Sequence, residues 1–89
     1  MEREIRVEVK TKNSIMVYKG QDRFEWLHIT AMWLPGGIVF RCHPRVANRR
    51  SGKKMWDSPG RACKSFAGVK VQRAVDAAWV EALGKFGGI

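Results

Sequence analysis

From Ile5 to His43 the chain repeats one arrangement, short runs with β-strand patterning separated by clusters of turn residues, and this limits the fold more than any other feature. Ile5, Val7 and Val9 alternate with Arg6, Glu8 and Lys10. Period two with β-branched residues is the mark of a half-buried strand. Thr11-Lys12-Asn13-Ser14 breaks the run and Ile15 to Lys19 starts another, which predicts a hairpin. Gly20-Gln21-Asp22 is the next turn. Arg23 to Leu34 follows, with apolar groups on both parities: Phe24, Trp26, Met32 and Leu34 on one, Leu27, Ile29, Ala31 and Trp33 on the other. That pattern predicts a central strand covered on both faces, or one with a bulge. A helix over part of this segment also fits. Pro35-Gly36-Gly37 is a strong break. In Ile38 to His43, Ile38, Phe40 and Cys42 fall on one face and Val39, Arg41 and His43 on the other, until Pro44 ends the strand.

Beyond Pro44 the periodicity changes. Val69 to Leu83 has the spacing of an amphipathic helix: Val71, Ala74, Val75, Ala78, Trp79 and Ala82 share a face, with Lys70, Arg73, Ala77 and Glu81 opposite. Gly84 is placed to stop it, and Lys85 suits the negative end of its dipole. The segment between reads as a long basic loop or β-ribbon, with a short returning strand near Lys53 to Trp56 and a turn at Asp57-Ser58-Pro59-Gly60. The expected architecture is α+β: a small antiparallel sheet of three to four strands packed against one C-terminal helix. At 89 residues there is room for one domain, 1–89, and one core. Apolar residues make up 45%, and most of the nine aromatic rings, four of them Trp, belong in that core.

No run reaches the roughly 20 apolar residues that a membrane span requires. The charged start, Met1-Glu2-Arg3-Glu4, is unlike a secretory signal. Both features predict a soluble cytoplasmic protein with no membrane partner. In a reducing compartment Cys42 and Cys63 are expected as free thiols.

The formal net charge is +9, and it is unevenly spread. Residues 45–73 hold nine Lys or Arg and one Asp, a net of +8, whereas 1–44 net +2 and 74–89 net −1. A surface built only for solubility intersperses both signs, and gathering one sign destabilises the fold by self-repulsion. The pattern points to a polyanion, nucleic acid foremost, with DNA the expected polymer. Cations that neutralise phosphates release condensed counterions, and arginine adds a planar fork for phosphate or guanine. The candidate binding residues are Arg45, Arg49, Arg50, Lys53 and Lys54 in the basic run, Arg41 on the preceding strand, and Trp56, Arg61 and Lys64 after it. Trp56 either packs in the core or stacks on an unpaired base. The bland alternative for the run is a solvated loop. Lys70 and Arg73 lie on the solvated helix face and read equally well as solubilising charge.

Other chemistries fit poorly. His28, Cys42, His43 and Cys63 lack zinc-ligand spacing, since Cys42 and His43 are adjacent and point to opposite faces of a strand. Nothing marks a Cys–His pair as a nucleophile and base. Only Asp57, Asp76 and Glu81 follow residue 25 among the acids, too few for a carboxylate metal cluster. No phosphate-loop or dinucleotide fingerprint occurs. The expected function is therefore a non-catalytic nucleic-acid-binding accessory or regulatory domain without metal or cofactor. The alternative is a protein-interaction inhibitor or adaptor whose basic face docks on an acidic partner. A homodimer is compatible with either.

Overall fold

The computed structural model describes residues 4–45 and 56–85. Strands β1 (Ile5–Thr11), β2 (Ser14–Lys19), β3 (Leu27–Leu34) and β4 (Gly37–Pro44) precede one helix, α1 (Pro59–Lys85). The strands form an antiparallel meander in the order β1-β2-β3-β4. This is the α+β architecture that the alternating runs predict. The basic loop expected between sheet and helix falls almost wholly on residues 46–55, outside the described residues.

Register explains which parity is buried. Val7 faces Val17, Val17 faces Leu27, Ile15 faces Ile29, and Ile29 faces Cys42. These residues, with Phe40, line the face that α1 covers; Ile15, Val17, Leu27, Ile29, Phe40 and Cys42 are buried there. The expectation of a β3 covered on both faces is corrected. Only Leu27, Ile29, Ala31 and Trp33 point toward α1, while His28, Thr30, Met32 and Leu34 belong to an open face. One helix cannot cover both sides of a sheet, so Met32 and Leu34 remain exposed. The open face also carries Arg6, Tyr18, Met16, Val39, Arg41 and His43.

The helix differs from expectation at its start. It begins at Pro59, ten residues before Val69, and the Asp57-Ser58-Pro59-Gly60 stretch is its N-terminus rather than a free turn. Ser58 is the cap: its Oγ accepts a hydrogen bond from the Arg61 amide at 3.2 Å, and its carbonyl accepts one from Ala62 at 3.2 Å. Pro59 then occupies the first helical position, where its missing N–H is no loss. At Gly68 the backbone turns to φ 85°, ψ 177°, and breaks α1 into two arms. A side chain is strained at that φ, so glycine suits the corner.

The arms pack on each other. The Gly60 amide donates to Asp76 Oδ1 at 2.8 Å, and an added Cβ at Gly60 would run into the Gln72 carbonyl oxygen. Only glycine permits this approach. Ala62 and Cys63 from the first arm and Val71, Val75, Trp79 and Ala82 from the second are buried. Ala74, predicted on the buried stripe, is exposed, and Ala78 is half-buried. Trp79 closes the core with its ring edge-on to Phe40, centroids 5.4 Å apart, and 6.3 Å from Trp33. No polar or charged side chain is buried among the described residues.

Candidate nucleic-acid interface

The basic segment is held to the sheet at both ends, beside the outer strand β4. It leaves from Arg45, whose amide donates to the Trp26 carbonyl at 2.9 Å. It returns at Trp56, which forms an antiparallel bridge to Phe40 through bonds of 2.9 and 3.1 Å. The expected returning strand is thus represented by Trp56 alone among the described residues. Arg49, Arg50, Lys53 and Lys54 lie outside the described residues, between these two anchors.

The remaining candidates occupy different sides of the molecule. Arg41 is half-buried on the open face, opposite Thr30 and on the same side as His43. Arg61 and Lys64 project from the first arm of α1, in the layer that covers the other face. The described cations therefore do not form one flat patch; Arg41 lies on the open face of β4, and Arg61 and Lys64 lie in the helical layer. Trp56 is half-buried against the core with the Arg61 guanidinium 5.8 Å from its ring centroid. Its packing is that of a core residue carrying a cation on top.

Two of these cations have acidic neighbours. Arg45 meets Glu25 at 3.0 Å, and Arg61 meets Asp57 at 3.2 Å. Both arginine side chains are about half exposed, 46% and 54%, and exposed pairs contribute only ~0–1 kcal/mol. A phosphate can displace such a carboxylate at little loss. Arg41 and Lys64 have no ion pair among the described residues.

A second group of cations gathers on aromatic rings, and of these the sequence singles out only Arg45. At the β2–β3 turn, Lys19 Nζ sits 3.7 Å from the centroid of Trp26, and the Arg45 guanidinium 4.4 Å from that of Phe24. Arg6 lies 4.6 Å over Tyr18 and donates to the carbonyls of Gly20 and Asp22, both at 2.9 Å, which pins the turn. Phe24 is 64% exposed. The available signal was an aromatic residue inside a charged turn, Asp22-Arg23-Phe24-Glu25, where no core strand needs one.

Both cysteine thiols are held in the protonated form. Burial pushes the Cys42 thiol up to about 12 and Cys63 to about 11, with Cys63 adding to the first and Asp76 to the second. Both thiols lie on the covered side. The imidazoles stand on the open face, their centroids 6.0 Å apart. His28 shares a hydrogen bond with Ser14 Oγ at 2.9 Å, and His43 one with Thr30 Oγ1 at 3.2 Å. The sheet thus separates the cysteines from the histidines. Among the described residues no three His, Cys, Asp or Glu side chains are placed to hold a metal ion, and no helix is long and apolar enough to cross a membrane. Compared with family models, with curated proteins and with solved structures, the chain finds no match.

Proposed function

We propose that this protein is a non-catalytic nucleic-acid-binding domain, a cytoplasmic accessory or regulatory factor that grips phosphates with the segment beginning at Arg45. One observation carries the reading. Within Arg45 to Lys54 there are five cations and no acid, in a 45–73 stretch of net charge +8. The fold adds support at the two ends of that segment. One end follows β4 directly and the other pairs with it, and the cations beside them, Arg45 and Arg61, have exposed side chains that meet one carboxylate and one aromatic ring each. Each phosphate neutralised releases counterions, and this supplies a large, sequence-independent part of the affinity.

The test is equilibrium binding to single- and double-stranded DNA and RNA at two salt concentrations. The reading expects binding to many sequences and a log-linear loss of affinity with salt. A chain that binds none of these polymers at low salt overturns it. Capture of an acidic protein that survives nuclease treatment, with no oligonucleotide binding, replaces it with the adaptor reading.

A further inference from the structure

Phe24 has no place in the folding of this domain. It is outside the hydrophobic core cluster, at a turn, and 64% exposed. One exposed ring is ordinary by itself, and Met32, Leu34, Phe66, Val69 and Val80 are exposed as well; the groups gathered around Phe24 set it apart. Its surroundings are specific. The Arg45 guanidinium lies 4.4 Å from the ring centroid and is held there from two sides, by Glu25 on the side chain at 3.0 Å and by the Trp26 carbonyl on the backbone amide at 2.9 Å. Next to it, Lys19 covers Trp26. Between them opens a cleft of about 510 Å³, which Arg23 and the acidic Asp22 also line.

We infer that Phe24 and Arg45 form a stacking site for an unpaired nucleobase, so that the nucleic acid is bound as a single strand. The inference rests on the nucleic-acid reading and deepens it. Rings and guanidinium planes both offer faces on which any base can stack, and in a duplex the bases are already stacked on each other. Lys19 and Arg23 border the same cleft and are placed for the flanking phosphates. Arg45 belongs to both features. It is the first cation of the basic segment and the lid of the Phe24 ring, so a strand following the basic segment arrives at the aromatic site. Glu25 neutralises part of the local charge, and its role is to orient the Arg45 plane.

The experiment compares the parent chain with Phe24→Leu, Phe24→Trp and Arg45→Lys, using oligo-dT, oligo-rU and a mixed-sequence DNA duplex as probes. Circular dichroism first verifies that each variant folds, as expected for exposed positions. Phe24→Leu should weaken oligo-dT or oligo-rU binding by roughly tenfold or more, the range of one stacked base. The salt slope should stay unchanged, because no charge is lost. Phe24→Trp should retain parent affinity, and Arg45→Lys, which keeps the charge and loses the plane, should lose affinity several-fold. Duplex binding should be weaker than single-strand binding and unaffected by Phe24→Leu. Which single strand binds more tightly separates DNA from RNA as the source of the base. Unchanged single-strand affinity in Phe24→Leu, or an equal loss on duplex, overturns the stacking site while leaving polyanion binding intact. A parent that binds no polymer overturns both.

Discussion

The closest approach between the two arms of α1 offers a quantitative test of the fold. Replacing Gly60 with Ala drives a methyl group into the backbone oxygen of Gln72 and against Asp76 Oδ2. The Asp76 side chain can turn away, but the Gln72 carbonyl belongs to the second arm and cannot move without it. Forcing such a contact costs about 1–3 kcal/mol. Displacing the arms also lengthens the 2.8 Å bond from the Gly60 amide to Asp76, and hydrogen bonds to charged groups contribute about 1.5–3 kcal/mol. The combined loss is on the order of 2.5–6 kcal/mol. A domain of this length holds only ~4–13 kcal/mol in total. Each kcal/mol moves the melting point by about 4–8 °C at this size, so Gly60→Ala should lower it by at least ~10 °C. Thermal and urea unfolding followed by circular dichroism measure this. Gly36→Ala, with no atom within 4 Å of its new methyl, is the control and should change little. Adding Asp76→Ala to Gly60→Ala should not rescue stability, because the carbonyl contact persists. A Gly60→Ala protein that melts with the parent refutes the packing of the two arms.

Three further outcomes follow from the same geometry. Burial, His28 and Arg41 hold the His43 imidazole below its ordinary value of 6.5. The folded state then binds fewer protons than the unfolded chain, so stability is undiminished above about pH 6.5 and falls as pH drops toward the lowered folded value. His43→Asn should flatten the pH dependence of urea midpoints in that window; an unaltered profile contradicts the assignment. The Cys42 and Cys63 thiols, pushed up to about 12 and about 11, should react with a thiol reagent at pH 8 only as fast as the domain opens, and rapid labelling of the native protein contradicts their burial. Trp79→Ala removes the ring that meets both Phe40 and Trp33 and should destabilise by about 3–5 kcal/mol in denaturant titration, a loss below about 1 kcal/mol contradicting its place in the core.

The strands were legible because their alternation is decided locally. Ile5, Val7 and Val9 announce one buried face, and the Pro35-Gly36 break announces the β3–β4 hairpin. Periodicity does not settle the coverage of β3, because it records that Met32 and Leu34 are apolar, not that among the described residues α1 packs on one face of the sheet. The early start of α1 was hidden by Pro59-Gly60, a pair that signals a turn in most contexts. Here Ser58 caps the helix, Pro59 tolerates the first position, and Gly60 answers a contact with Gln72 that lies twelve residues away in sequence. At the candidate site, the charge count found Arg45 and Arg61 but not their carboxylate neighbours. Glu25 reaches Arg45 only because β3 and β4 pair in register, with Leu27 opposite Pro44. Phe24 is hidden for a similar reason: in sequence it falls within the apolar run from Arg23 to Leu34, whereas β3 begins at Leu27 and leaves the ring in solvent.

The most direct measurement is the salt dependence of oligonucleotide binding in the parent and in a variant carrying Arg49→Ala, Arg50→Ala, Lys53→Ala and Lys54→Ala. If these four side chains neutralise phosphates, the variant binds far more weakly at low salt, and its log–log slope on single strands is shallower by about 3, at roughly 0.7 per contact. Equal affinity and an equal slope in the two proteins would contradict the assignment of the basic segment as the phosphate grip.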